Sequence, residues 1–417
     1  MTQALHHRRE TCRLCGSRNL DSVFALEPTP PANAFVAESD LVREQPRFPL
    51  DIYFCNDCTH VQLLDVVDPA HLFENYVYVS GTSPVFVKHF EAYAEAVRAL
   101  VKPAEGGLVV DIGSNDGTLL GFFKAAGHAV LGIDPARDIA RTATEQGIPT
   151  EAGFFTPAWA AKTKDAKGPA AIITANNVFA HIDDMQAVTE GIRTLLADDG
   201  VFVFEVSYLV DVMEKTLFDT IYHEHLAYHA VKPLQTFLAA QGLELFAAER
   251  VSSHGGSLRG YAQKAGGPRK ADGSVKALIA HEAAMGLDKA ATYRAFADRI
   301  DQRRRELTAI LKDSKAQGRS VAAFGAPAKA TTLMYHFGIG PDIIDFIVDD
   351  SPLKQGLYSP GMHIPVVPSS ALYERSPDDV VILAWNFAEA IMGKHSAYLE
   401  SGGRFIVPLP KVEVVTR

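Results

Sequence analysis

The spacing of apolar residues changes period along the chain, and each change predicts a different element. Over residues 84–101, Val85, Phe86, Phe90, Tyr93, Val97 and Leu100 recur at three- and four-residue steps, which predicts a helix with one apolar face. From Gly107 the pattern becomes short apolar runs separated by amphipathic stretches. Strands are expected at 108–112, 129–133, 170–174 and 200–206, with helices at 119–126, 136–145 and 185–196. Near-continuous apolar runs of this kind are typical of parallel strands covered on both faces, so this is an α/β domain. Two strand-like runs, 243–250 and 257–264, then suit an antiparallel pair at a sheet edge. Residues 268–318 are charged and helical, and a second α/β pattern follows. Its strands are expected at 320–324, 343–349, 380–383 and 404–407, with a helix over 325–335. Residues 1–65 stand apart, with little helical periodicity, a Pro28-Thr29-Pro30-Pro31 stretch and short strands predicted at 48–54 and 60–64. The expected organisation is therefore a small domain over 1–70, an α/β domain over 71–265 and a second Rossmann-like domain over 266–417.

Composition narrows the function. Of the 417 residues 47% are hydrophobic, enough for packed cores. The net charge of −10 runs against a general nucleic-acid binder, so no nucleic-acid partner is expected. No apolar run reaches the roughly 18 residues a membrane span needs, and the polar start of the chain does not read as a signal peptide. The expected location is the cytoplasm, with no membrane partner.

All four cysteines fall before residue 60, as Cys12-Arg13-Leu14-Cys15 and Cys55-Asn56-Asp57-Cys58. Two residues between cysteines let both thiolates face one tetrahedral ion. Structural Zn2+ on Cys12, Cys15, Cys55 and Cys58 is the expectation; the alternatives are a redox dithiol or unrelated thiols. Four thiolates close the coordination shell, so catalytic chemistry is expected elsewhere.

It is expected first at Asp111-Ile112-Gly113-Ser114-Asn115-Asp116-Gly117, where a predicted strand meets a predicted helix. Backbone N–H groups at a helix start, with glycines that allow close approach, suit a nucleoside cofactor. Asp134 ends the next strand, where a carboxylate can accept from ribose hydroxyls. Asn115 stands where the dinucleotide pattern GxGxxG needs glycine, which disfavours NAD. S-adenosyl-L-methionine (SAM) has no pyrophosphate to cradle, so Asp111, Gly113, Asn115, Gly117 and Asp134 are expected to hold it. The competing reading is a glycine-rich turn without ligand. Phe154 and Phe155, in Glu151-Ala152-Gly153-Phe154-Phe155, sit where a strand after 129–133 would end and are candidates for stacking on adenine, or for plain core packing. Asn176 and Asn177 follow the strand expected at 170–174, at the carboxyl edge where open sheets bind ligands, with His181 just beyond.

The densest titratable segment is Ile221-Tyr222-His223-Glu224-His225-Leu226-Ala227-Tyr228-His229. Ala227 stands where the zinc-protease pattern HExxH needs its second histidine, so metal catalysis is disfavoured. Acid–base work is favoured, with an imidazole as base, Glu224 orienting a neighbouring histidine and Tyr222 as donor to an oxyanion. A surface helix with chance clustering is the bland alternative. Methylating oxygen or nitrogen needs little more than one base. Methylating carbon needs removal of a proton alpha to a carbonyl and stabilisation of the enolate, which such a cluster suits. At the start of the helix expected over 325–335, the free N–H groups of Gly325-Ala326-Pro327-Ala328-Lys329 and the Lys329 amine are candidates for a pyrophosphate.

In this order, these motifs resemble the nucleotide-sugar C-methyltransferases of deoxysugar biosynthesis, which methylate C3 of dTDP-4-keto sugars. The twin CxxC pairs look like that family's zinc-binding domain, Asp111–Gly117 like its SAM loop, Tyr222–His225 like its catalytic segment and Gly325–Lys329 like its C-terminal signature. The resemblance implies a class I methyltransferase sheet in the middle domain and a dTDP-sugar substrate held by the C-terminal one. It implies that His225 removes the C3 proton, that Tyr222 and Glu224 assist, and that His181 lies near the keto group. Tyr76, with Tyr78 and Ser80 in the 78–83 loop, would close over the sugar; His254 and Arg259 would face the same cleft. The rival readings are an O- or N-methyltransferase and a non-catalytic binding module.

Overall fold

The structure is a computed structural model and describes residues 5–74, 81 and 84–417, apart from the His254 side chain. The chain divides into two units, one of residues 1–21, 54–210 and 226–289, the other of residues 22–53, 211–225 and 290–417.

In the first unit a short strand, β1 (Val61–Leu63), precedes helix α1 (Pro84–Val101). The helix buries Phe90, Tyr93, Ala94, Val97 and Val101, one stripe at three- and four-residue steps. Val85 and Leu100, expected on that stripe, are exposed; Ala94 and Val101 hold the inward positions instead.

Seven strands form the sheet of this unit: β2 (Leu108–Ile112), β3 (Ala129–Asp134), β4 (Thr150–Ala152), β5 (Ala170–Asn176), β6 (Leu196–Ser207), β8 (Leu243–Val251) and β9 (Ser257–Lys264). Between β6 and β8 in sequence, β7 (Ala227–Tyr228) pairs antiparallel with β1 instead. The sheet order is β8-β9-β6-β5-β2-β3-β4. Neighbours from β6 through β4 run parallel, while β9 runs antiparallel to both β6 and β8. The expected antiparallel pair does lie at the sheet edge. Helix α2 (Thr118–Ala125) follows β2 and adds Leu119, Leu120 and Phe123 to a core shared with Val109, Ile172, Val203 and the stripe of α1. The order reverses between β2 and β5, the switch point where open α/β sheets bind ligands beyond their carboxyl ends.

The second unit contains α3 (Ala290–Ala316), β10 (Val321–Phe324), α4 (Ala328–Phe337), β11 (Ile347–Val348), β12 (Val366–Val367), β13 (Asp379–Ile382), β14 (Arg404–Val407) and β15 (Glu413–Val415). Its sheet order is β12-β11-β10-β13-β14-β15, parallel except for β15. Phe324, Phe346, Leu372, Ile382 and Phe405 centre its core. The strand expected over 343–349 is extended only at Ile347–Val348. Ile343 and Ile344 instead donate to the Gly340 carbonyl in a tight turn. Their side chains are buried all the same, so the apolar run records burial rather than extension. Among the described residues no helix is long and apolar enough to cross a membrane.

Candidate active site and metal centre

The loop after β2 is built by its own backbone. Gly113 has φ +67°, a conformation L side chains rarely adopt, and a Cβ there would press into the Val178 side chain, so glycine is favoured here before any ligand is considered. Gly113 N–H donates to the Ile133 carbonyl at 2.8 Å, tying the loop to β3. Asn115 adopts φ +51°, and its N–H donates to Asp134 Oδ2 at 2.9 Å. Asp134 Oδ1 accepts from Ala136 N–H at 2.8 Å. Asp134 is buried, which pushes its pKa up, while those two amides oppose the rise. One carboxylate thus fixes both strand ends, and each of its oxygens keeps a lone pair for a hydroxyl. Gly117, with φ +77°, is the N-cap of α2, and Asp116 accepts from the Thr118 N–H and hydroxyl. Asp116 also accepts from Gly81 N–H at 2.7 Å.

Asp111 lies beneath this loop. It is buried and accepts from the Thr174 hydroxyl at 2.6 Å, and burial raises its pKa to about 7. Phe154 is exposed. Phe155 does not offer a free ring: it is buried, packs on Trp159 with centroids 5.4 Å apart and fills the space beside Gly191. Of the pair, Phe154 is therefore the one available for stacking. Asn176 ends β5 with its amide nitrogen and oxygen buried and without a hydrogen-bond partner among the described residues. Asn177, at φ +55°, donates its N–H to the Glu205 carbonyl. His181 closes a 3-10 turn after β5 and stacks on Phe73, centroids 5.6 Å apart and planes 5° from parallel.

Sequence reasoning missed a buried hub in the same unit. Glu205, near the end of β6, accepts from His89 of α1, from the Ser253 hydroxyl and twice from Arg259. Despite burial, these partners hold its pKa down at about 2. Arg259, expected to face a substrate cleft, is instead buried in this ion pair and stacked over Tyr93 at 4.4 Å. A lone Glu and a lone Arg in separate strands give no local signal of pairing.

The His-Glu-His segment belongs to the second unit up to His225. It is a turn with buried residues rather than a surface helix. The ring of His225 lies 4.1 Å from that of Tyr222. His225 Nδ1 is 2.7 Å from the Thr220 carbonyl. A carbonyl only accepts, so Nδ1 carries the proton and Nε2 is the basic nitrogen. Glu224, 3% exposed, accepts from Asn33 Nδ2 at 2.8 Å. Neighbouring His223 is bonded to the Phe48 carbonyl and packs edge-on against that ring, which gives it a structural task. The turn is fixed to α4 by the Thr332 hydroxyl, which donates to the Ile221 carbonyl at 2.8 Å.

At the start of α4, Lys329 donates to Asn386 and sits 3.8 Å over the Trp385 ring. Trp385 Nε1 donates to Asp219 Oδ2 at 2.6 Å. Burial lowers the Lys329 pKa to about 8, opposed by Asp219, and burial raises that of Asp219. Asp219 and Trp385 are further partners the sequence did not flag. Tyr76, Tyr78 and Ser80 lie outside the described residues, as does the His254 side chain.

The four cysteines come together as spaced. Their sulfurs all lie within 4.8 Å of one another, with Cys12–Cys58 and Cys15–Cys55 each at 3.6 Å. Tetrahedral zinc with Zn–S of about 2.3 Å places its sulfurs roughly 3.8 Å apart, so the set fits the ion. The Cys58 thiol holds Cys12 down, while burial raises Cys15 and the Cys12 sulfur raises Cys58. Four thiolates this close need a cation between them. Arg9, just before the first knuckle, and Arg13, between its two cysteines, both pair with Asp183.

Comparison with known proteins extends these observations over the whole chain. A zinc binding domain model matches residues 12–73, a methyltransferase domain model 86–248 and a C-methyltransferase C-terminal domain model 252–410. The C-methyltransferase NovU of Streptomyces niveus is 34% identical over 407 residues, covering 98% of this chain and 97% of that protein. Among solved structures, magnesium protoporphyrin IX methyltransferase of Synechocystis PCC 6803 with bound SAH matches 46% of this chain and 90% of its own at 14% identity and TM-score 0.35. A SAM-dependent methyltransferase of Anabaena variabilis matches 42% and 83% at 14% identity and TM-score 0.35. The assignment rests on the family models and the Streptomyces relative. Matched from its cysteine knuckles to its last sheet, the chain belongs to the family its motifs resemble, the SAM-dependent nucleotide-sugar C-methyltransferases with an N-terminal zinc-binding domain.

Proposed function

We propose that the enzyme methylates C3 of a dTDP-linked 4-keto-deoxysugar by deprotonation alpha to the ketone and in-line methyl transfer with inversion. One observation carries this reading: His225 Nδ1 is committed to the Thr220 carbonyl, which leaves Nε2 basic beside the Tyr222 ring. Methylating oxygen or nitrogen needs little more than one base, whereas methylating carbon also needs a donor for the enolate, which the phenol of Tyr222 beside His225 would supply. SAM supplies an electrophilic methyl group. His225 takes the C3 proton, Tyr222 and His181 stabilise the oxyanion that forms at the keto oxygen, and Glu224, held by Asn33, keeps the turn in place. Asp134 and the backbone of Gly113, Asn115 and Gly117 hold the nucleoside and the methionine end of the cofactor, with Asp111, Phe154, Asn176 and Asn177 around them. Lys329 and the start of α4 take the pyrophosphate, and Tyr76, Tyr78, Ser80 and His254 complete the sugar site. In this reading residues 1–70 bind zinc, 71–265 bind SAM and 266–417 bind the nucleotide; the setting is the cytoplasm, without nucleic acid or membrane as partner.

The test is incubation of the full-length protein with SAM and a panel of dTDP-4-keto sugars, read by mass spectrometry and NMR. The expected product gains one methyl group on C3. Transfer to oxygen or nitrogen, or no transfer to any member of the panel, refutes the reading.

A further inference from the structure

Arg13 lies between the two cysteines of the first knuckle, yet it does not face solvent as knuckle residues commonly do. It is 1% exposed. Its Nη1 donates to Gln62 Oε1 at 3.1 Å, to the Leu63 carbonyl at 2.9 Å and to the Leu226 carbonyl at 3.0 Å. Its Nη2 reaches Asp183 Oδ1 at 3.2 Å, and its backbone N–H donates to Gln62 Oε1 at 3.0 Å. One guanidinium therefore grips three separate points of the chain, at Gln62–Leu63, Leu226 and Asp183, and the last two adjoin candidate site residues. Leu226 directly follows His225, and Asp183 lies two residues after His181.

The same two points are joined to each other. Leu226 N–H donates to the Ala180 carbonyl at 3.0 Å, beside His181. The Leu226 carbonyl accepts a second bond from Leu63 N–H, and β7 continues as an antiparallel partner of β1, with Ala227 opposite Gln62. Asp183 is held from the knuckle side by Arg9 as well, at 2.9 Å. A buried, planar donor with several fixed acceptors is pre-organised and cannot be replaced by a flexible point charge. The burial of such a group is costly without its partners, so the position is a specific demand of this fold.

We propose that Arg13 is a positioning residue for the methyl transfer, fixing the main chain next to His225 and next to His181 through Leu226 and Asp183. The proposal rests on the roles assigned above to those two histidines. It makes the cysteine knuckle a support for the acid–base residues as well as a fold element.

Arg13→Lys and Asp183→Asn, in the full-length zinc-loaded protein, test this. Lysine has one nitrogen and cannot span Leu226 and Asp183 together. Arg13→Lys is expected to retain zinc and SAM affinity, to lose about 100-fold in kcat, the scale of a small misplacement, with a smaller change in KM, and to shift the imidazole NMR signals of both His225 and His181 in histidine-labelled protein. Asp183→Asn is expected to shift the His181 signal and leave that of His225 in place. Wild-type kcat in Arg13→Lys, or a loss of kcat with both imidazole signals unmoved, overturns the proposal. Should Arg13→Lys fail to fold, an unshifted His181 signal in Asp183→Asn overturns it. The imidazole shifts need no turnover, so they separate failure of this proposal from failure of the proposed reaction, which is read on the wild-type enzyme.

Discussion

Replacing His225 by asparagine is expected to lower kcat by about 10²–10⁴-fold, the usual contribution of a general base, while SAM affinity stays unchanged. The asparagine amide can still donate toward the Thr220 carbonyl, which His225 Nδ1 reaches at 2.7 Å. It has no counterpart to the basic Nε2, so the variant keeps the turn and loses the proton acceptor. Stopped assays at saturating sugar give kcat, and calorimetry with SAM gives the affinity. Full turnover in this variant assigns the base elsewhere. Parallel loss of SAM binding instead makes His225 a structural residue.

Replacing Cys12 by serine is expected to abolish zinc binding and to unfold the N-terminal knuckles. Structural zinc contributes apparent binding energies of about 10–16 kcal/mol in small zinc domains, as much as the whole stability of a typical domain at about 5–15 kcal/mol. Cys12 is buried, its sulfur 3.6 Å from that of Cys58, and the remaining three sulfurs would stay crowded without their cation. Metal analysis and thermal melting check this. A variant with wild-type zinc content and melting temperature would show that Cys12 is no ligand.

Much of this arrangement is legible in the sequence because the signals are local. A CxxC pair carries its own geometry, and a strand, a glycine turn and a helix start are contiguous in the loop from Asp111 to Gly117. Asp134 is readable because the strand that follows that helix must return beside β2. The turn at Tyr222–His225 announced itself by density of titratable groups, though its shape did not: periodicity cannot distinguish a buried turn from a helix when the residues are polar. What stayed hidden depends on pairing across long separations. Asn33 meets Glu224 across 191 positions, Trp385 meets Asp219 across 166, and Arg13 meets Leu226 across 213. Each is an ordinary residue in its own segment. Arg13 misleads further, since arginine in a knuckle reads as a solvated charge, and only its burial shows otherwise. The two phenylalanines after β4 look equivalent in sequence, whereas the structure buries Phe155 and exposes Phe154.

The central claim is that a carbon acid, rather than a hydroxyl or an amine, accepts the methyl group. The most direct measurement is turnover of a dTDP-4-keto sugar carrying deuterium at C3, with the product analysed by mass spectrometry. The account predicts that every methylated molecule has lost its C3 deuterium to solvent. A methylated product that retains the deuterium would contradict it.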